Sequence, residues 1–205
     1  MTSNITTIVW DLGNVLIKWD PKYLYRKIFD TEEKVDWFLK EICTLDWNEQ
    51  QDAGRTWAEG TYILGQQFPE YQAEINAYAE RWEETLVGPI DGSVSILKAL
   101  KQANTHRIYA LTNWSAETFP IALERYDFLQ LFEGIVVSGV EKLKKPDPKI
   151  YQLLLDRYQI APEKALFIDD SARNIAGARA VGMQAIHFLS PTQLAKDLKA
   201  QQILP

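Results

Sequence analysis

Apolar residues along this chain follow two different rhythms. Short runs rich in β-branched residues occur at 5–10, 107–112, 134–138, 165–168 and 184–189, and these read as buried strands. Helical segments lie between the later ones. The clearest covers 148–158, with Asp147 suited to cap it and Pro148 suited to its first position. Strand alternating with helix predicts an α/β fold with a parallel, doubly wound, Rossmann-like sheet.

The second rhythm runs from about Trp19 to Gly88, where no convincing strand is visible and apolar positions recur at helical spacing, as in Val35, Phe38, Leu39 and Ile42. Trp19, Trp37, Trp47, Trp57 and Trp82, five of the seven tryptophans, fall in this stretch, which suits a helical bundle packed around aromatic anchors. The pattern predicts a core of residues 1–17 and 89–205 with a helical cap inserted at 18–88. Gly88-Pro89 and Asp91-Gly92 mark the return to the core, where Val94, Leu97 and Leu100 begin another helix.

At 205 residues, 46% hydrophobic and 24% charged, the chain has an ordinary globular composition. A net charge of −6 argues against a nucleic acid partner, which calls for clustered Lys and Arg. The opening MTSNITTIVWDLG has neither a basic leader nor a long apolar stretch, and no later run approaches the roughly 20 apolar residues that span a bilayer. Cys43 is the sole cysteine, so no intramolecular disulfide forms and a reducing, cytoplasmic setting is expected. A monomer or weak dimer acting on a small molecule fits this picture. His106 and His187 fall in no motif and read as structural.

Candidate chemistry collects where the predicted strands end. Asp11 follows Ile8-Val9-Trp10, placing a carboxylate at the carboxyl end of the first strand, where open α/β sheets bind ligands. Standing alone it is a helix cap or turn residue. Asp169 and Asp170 end the run Ala165-Leu166-Phe167-Ile168, and two adjacent acids repel each other unless a cation compensates. Hard oxygen donors of this kind suit Mg²⁺. Thr112-Asn113 offers a hydroxyl and backbone amides at the end of another strand, and Lys145 precedes Pro146-Asp147-Pro148 and a capped helix. Trp47, Asp52 and Arg55 lie in a polar part of the helical stretch, where they either reach a substrate or serve packing and solvation.

The order Asp, Thr, Lys, paired Asp at successive strand ends resembles the haloacid dehalogenase superfamily. The matching segments are IVWDLGNVL, YALTNW, KKPDPKIY and ALFIDDSARNIAGARAVGM, and with the helical insert they extend over the whole chain. The resemblance implies a Mg²⁺-dependent phosphatase with Asp11 as nucleophile and metal ligand, the Gly13 carbonyl and Asp170 as further ligands, and Asp169 as a ligand or as an acceptor behind them. It implies that Thr112 and the Asn113 amide hold phosphoryl oxygens, that Lys145 neutralises charge, and that Asn174, in place of a frequent acid, orients Lys145 or metal-bound water. Asn14 replaces a frequent glycine and tolerates the left-handed backbone region.

One departure matters. Most phosphatases of this family carry an acid/base Asp where this chain has Gly13. Three accounts follow: a cap residue or water substitutes, the leaving group is a good one, or turnover has been lost. Members with a similar DLGNV motif resemble sugar phosphate phosphatases, which suggests a substrate such as a hexose 1-phosphate. A 2-haloacid dehalogenase and a non-catalytic phosphate-binding protein are the rival readings.

Overall fold

The computed structural model describes residues 4–204. Residues 1–3 and 205, which the predicted core limits include, lie outside the described residues, as does the start of the stretch read as lacking a leader. The strands are β1 (Thr7–Trp10), β2 (Ile17–Trp19), β3 (Leu86–Pro89), β4 (Arg107–Thr112), β5 (Gly134–Val137), β6 (Ala165–Asp169) and β7 (Gln184–His187). Among the described residues, five of them form one parallel sheet in the order β5-β4-β1-β6-β7. Helices flank it, as the alternation of strand and helix predicts.

Alternate residues of the central strands serve different faces. Ile8 and Trp10, Ile108 and Ala110, and Leu166 and Ile168 join one apolar cluster, while Val9, Tyr109, Leu111 and Phe167 join the other. A strand covered on both sides has no polar alternate, which is why the sequence shows continuous apolar runs. Helices Asp91–Ala103 and Pro191–Ala200 supply Leu97, Leu100, Leu194 and Leu198 to the first cluster. Pro148–Tyr158 and Ala172–Ala180 supply Ile150, Leu154, Ile175 and Ala178 to the second. Asp147 caps Pro148–Tyr158 by accepting a hydrogen bond from the Lys149 N–H, and Pro148 stands in its first turn.

Register decides what emerges at the sheet edge. Trp10 is level with Ala110 of β4 and Ile168 of β6, so Asp11, Thr112 and Asp169 all leave the sheet at its carboxyl end. The Asp11 N–H donates to the Ile168 carbonyl at 2.8 Å, extending the ladder by one residue.

Between β2 and β3 the chain forms helices Lys22–Tyr25, Glu32–Glu41, Leu45–Asp52, Trp57–Gln67 and Gln72–Glu80. Thr31, Thr44 and Thr56 cap three of them by accepting from the N–H of Lys34, Trp47 and Glu59. Trp47, Trp57 and Tyr78 pack with ring centroids 5.3–5.7 Å apart. Their cluster is continuous with the sheet face that holds Ile8 and Trp10.

Two expectations change. The stretch read as free of strands is entered and left through β2 and β3, paired antiparallel with Lys18 opposite Gly88. Such short strands leave too few positions for alternation to register. Trp37 is not a core anchor; it is 39% exposed, with the Lys34 ammonium 4.0 Å from its ring centre.

Phe167 is fully buried and meets Tyr151 edge-on, with centroids 5.7 Å apart. Phe167→Ala is expected to lower unfolding free energy by about 3–5 kcal/mol, read from urea denaturation followed by circular dichroism.

Candidate active site

Lys145 organises the sheet edge. Its ammonium donates to Asp11 Oδ1 at 2.8 Å, Asp169 Oδ2 at 2.7 Å and the Leu111 carbonyl at 2.9 Å. Three donors meet three acceptors, so a side chain only 1% exposed is fully satisfied. Asn113 holds the same residue by its backbone: Asn113 Oδ1 accepts from the Lys145 N–H at 2.8 Å and Asn113 Nδ2 donates to the Lys145 carbonyl at 3.0 Å. Burial works to lower the Lys145 pKa, but the carboxylates of Asp11 and Asp169 outweigh it and the net direction is up. Lys145 is therefore a fixed cation.

The three acids occupy different environments. Asp11 takes both its hydrogen bonds on Oδ1, from Lys145 and from the Leu12 N–H, while Oδ2 takes neither. Burial raises its pKa to about 8, with Lys145 opposing and Asp169 and Asp170 adding to the rise. Asp169 is fully buried and accepts from Lys145, from the Ser171 N–H at 2.8 Å, and from Asn174 Nδ2 at 3.0 and 3.1 Å. Asp170 stands at the exposed rim, its pKa raised by partial enclosure and then by Asp169. One ligand oxygen or carboxylate atom from each of Asp11, Asp169 and Asp170 lies within 4.8 Å of the others.

Close by, the Thr112 hydroxyl is buried without a hydrogen-bond partner. A buried hydroxyl left unpaired is costly, and an incoming anionic oxygen would satisfy it. Asn14 has φ 53°, in the left-handed region, and its side-chain oxygen accepts from the Trp19 N–H at 3.1 Å. This turn carries the chain from Asp11 past Gly13 and into β2.

Beside these residues lies a cavity of about 110 Å³ lined by Gly13, Trp19, Asn48, Asp52, Trp82, Asn113 and Trp114. Gly13 and Asn113 come from the sheet edge, whereas Asn48 and Asp52 come from helix Leu45–Asp52. That helix is pinned to the core. Glu49 pairs with Lys144 at 2.6 Å and also with Arg173, and the Ser138 hydroxyl donates to the Asp52 carbonyl at 2.5 Å.

Asp11, Gly13, Thr112, Asn113, Lys145, Asp169, Asp170 and Asn174 thus gather at one edge, and Asp52 joins them from the helical stretch. The Asn174 amide goes to Asp169 rather than to Lys145. Trp47 and Arg55 turn elsewhere: Trp47 Nε1 donates to the Gly60 carbonyl, and Arg55 binds Gln51 and the Trp47 carbonyl. Sequence reasoning missed Asn48 and Glu49, and it read Trp19 and Trp82 as packing anchors rather than as walls of this cavity. The spacing Asn48-Asp52, one helical turn apart, was the available signal, since i and i+4 share a face.

A family model described as haloacid dehalogenase-like hydrolase matches residues 5–182. The chain belongs to the haloacid dehalogenase-like hydrolases. Within this family it is similar to a sesquiterpene phosphatase of Aspergillus oryzae, 28% identical over 204 residues and 97% of each chain. A phosphorylated carbohydrates phosphatase of Thermotoga maritima is 35% identical over 182 residues, 88% of this chain and 83% of its own. Among solved structures, a haloacid dehalogenase family enzyme of Bacteroides thetaiotaomicron, in complex with magnesium and inorganic phosphate, superposes with a TM-score of 0.69 at 25% identity, covering 91% of this chain and 95% of its own. No helix among the described residues is long and apolar enough to cross a membrane.

Removing Lys145 leaves Asp11 and Asp169 buried without their cation. Because Asp11 titrates near about 8 when folded, above its unfolded value of 3.8, it favours the folded state at low pH and loses that contribution as pH rises through about 8. In metal-free buffer, Lys145→Met is expected to cost about 3–5 kcal/mol above that pH and less at pH 5, where a proton substitutes for the ammonium. Urea melts at the two pH values measure the difference.

Proposed function

We propose that this chain is a Mg²⁺-dependent phosphatase that hydrolyses a small-molecule phosphate monoester through a phospho-aspartyl intermediate on Asp11. The observation that carries the reading is the pairing of Asp11 with a buried, fully satisfied Lys145 beside an unpartnered Thr112 hydroxyl. In this reading residues 1–17 and 89–205 form the catalytic core and residues 18–88 the cap that selects the substrate.

The donor set fits Mg²⁺, since three hard carboxylates converge where, among the described residues, one buried cation, Lys145, stands against them. Asp11, Asp170 and the Gly13 carbonyl would hold the ion. Asp169, whose two oxygens already accept from Lys145, Ser171 and Asn174, serves better as the partner that keeps Lys145 charged and in place. When bound, Mg²⁺ supplies positive charge to a phosphoryl oxygen.

Phosphoryl transfer asks chiefly for an aligned nucleophile and for positive charge over the equatorial oxygens. Asp11 Oδ2 attacks phosphorus, Lys145 offsets the developing charge, and the Thr112 hydroxyl and Asn113 amide hold phosphoryl oxygens. Water then hydrolyses the aspartyl phosphate and regenerates Asp11. The pairing of Lys145 with two acids, and a third acid at the rim, speaks against a metal-free dehalogenase.

For the substrate we favour a sugar phosphate such as a hexose 1-phosphate. Trp19, Trp82 and Trp114 line the cavity with apolar surface suited to the C–H side of a sugar ring, while Asn48 and Asp52 bring polar atoms suited to its hydroxyls. Similarity to the carbohydrate phosphatase points the same way. An isoprenoid phosphate is the second reading, favoured by the same three indoles and by similarity to the sesquiterpene phosphatase.

A panel of phosphorylated metabolites with Mg²⁺, including hexose 1- and 6-phosphates and farnesyl phosphate, tests both. Asp11→Asn is expected to lower kcat by a factor on the order of 10⁴ or more while circular dichroism stays unchanged. A variant as fast as the parent overturns the phosphatase reading, and preference for 6-phosphates over 1-phosphates overturns the hexose 1-phosphate assignment. Mg²⁺ is expected to raise Tm, since a ligand at 100 times its Kd stabilises by about 2.7 kcal/mol. The rise should be larger above pH 8 than at pH 6, because protons compete for Asp11.

A further inference from the structure

An ester oxygen leaving phosphorus becomes an alkoxide unless a proton reaches it, and the position two residues after Asp11 is a glycine that cannot supply one. Asp52 brings the one carboxyl in the lining of the cavity that Gly13 and Asn113 share. We infer that Asp52 is the acid–base group of this phosphatase, donating a proton to the leaving oxygen and taking one from the attacking water. The inference rests on the phosphatase reading and deepens it.

Three observations aim Asp52 at this role. It ends helix Leu45–Asp52 and meets the strand-end loop directly, its carboxylate accepting from the Ser115 N–H and its carbonyl from the Ser138 hydroxyl. Ser138 also accepts from the Trp114 N–H at 2.9 Å, so the helix end and the loop after Thr112 are tied through one hydroxyl. Asn48, one turn earlier, donates to Asp52 Oδ2 at 3.3 Å and leaves its own buried Oδ1 without a partner, available to a substrate hydroxyl.

The environment favours the protonated form near neutrality. Enclosure by protein raises the Asp52 pKa to about 7, the Glu49 carboxylate adds to the rise, and Lys144, Lys145 and the Ser115 N–H oppose it. The last turn of a helix presents the negative end of its dipole, which acts in the same direction. Asp52 is half-buried and lines the cavity.

The steps balance. As Asp11 Oδ2 bonds to phosphorus, the phosphorus–oxygen bond to the leaving group breaks, and that oxygen takes the Asp52 proton, giving an alcohol and an Asp52 carboxylate. Water then attacks the aspartyl phosphate while Asp52 takes its proton. The bond from phosphorus to Asp11 breaks, releasing phosphate and restoring both acids to their starting forms.

The test compares 4-nitrophenyl, phenyl and benzyl phosphate, similar in shape but increasingly dependent on protonation of the leaving oxygen. In Asp52→Asn, kcat/KM for benzyl phosphate should fall about 10²–10⁴-fold, the usual contribution of general acid catalysis, while 4-nitrophenyl phosphate loses less than about tenfold. Equal losses for all three esters would make Asp52 a docking residue and overturn the assignment, as would no loss at all. If the variant does not fold, the parent enzyme decides. A shallow decline in kcat/KM from nitrophenyl to benzyl supports proton donation, and a decline as steep as that of the uncatalysed esters refutes it. Asp11→Asn, run alongside, separates the two levels. Retained 4-nitrophenyl phosphate cleavage there sinks the phosphatase reading, whereas loss there with a uniform effect in Asp52→Asn sinks only the role of Asp52.

Discussion

A buried ammonium with every proton committed holds this sheet edge together. Lys145 spans the ends of three neighbouring strands, reaching Asp11 after β1, Leu111 within β4 and Asp169 at the end of β6. Two buried carboxylates this close repel strongly unless a cation lies between them, and breaking such a group by removing one partner costs more than the group contributes to stability. The arrangement is better understood as setting geometry than as a source of folding energy. It fixes where the carboxylates stand, and Asn113 in turn fixes the backbone from which the lysine extends.

The parallel sheet was legible because its signal is local. Continuous apolar runs of a few residues at 107–112 and 165–168 admit few alternatives when helical segments separate them. Boundaries were less legible: the run at 134–138 stops at Val137, since Ser138 turns its hydroxyl to the Asp52 carbonyl and begins a short helix instead. The β2–β3 ribbon escaped notice because pairing between residues far apart in sequence, Lys18 with Gly88, leaves no periodic trace in so short a strand.

The meeting of Asp11, Thr112 and Asp169 follows from strand order once the sheet is granted, whereas Lys145, beyond a short helix and a loop after β5, was expected there only from the family resemblance. What faces them from the helical stretch was less accessible. Trp47, Asp52 and Arg55 look alike as polar-segment residues, yet rotation about the axis of helix Leu45–Asp52 separates the first two, and Arg55 lies in the loop beyond that helix. Asp52 shares a face with Asn48 and turns to the cavity, while Trp47 packs on Trp57 and Tyr78. The side of a helix that meets the core depends on tertiary docking, and single-sequence periodicity was weak there because polar residues occupy both faces of Leu45–Asp52.

Glu49 joins these two worlds. One carboxylate grips Lys144, the neighbour of Lys145, and Arg173, the neighbour of Asn174, so the helix rests on two separate strand-end segments at once. Ion pairs that stay partly wetted weaken as mobile ions accumulate around them, with a screening length of about 8 Å at physiological ionic strength. The grip of the helical stretch on the core is thus tunable by dissolved electrolyte, while the dry cluster beneath it, shielded from those ions, keeps its shape.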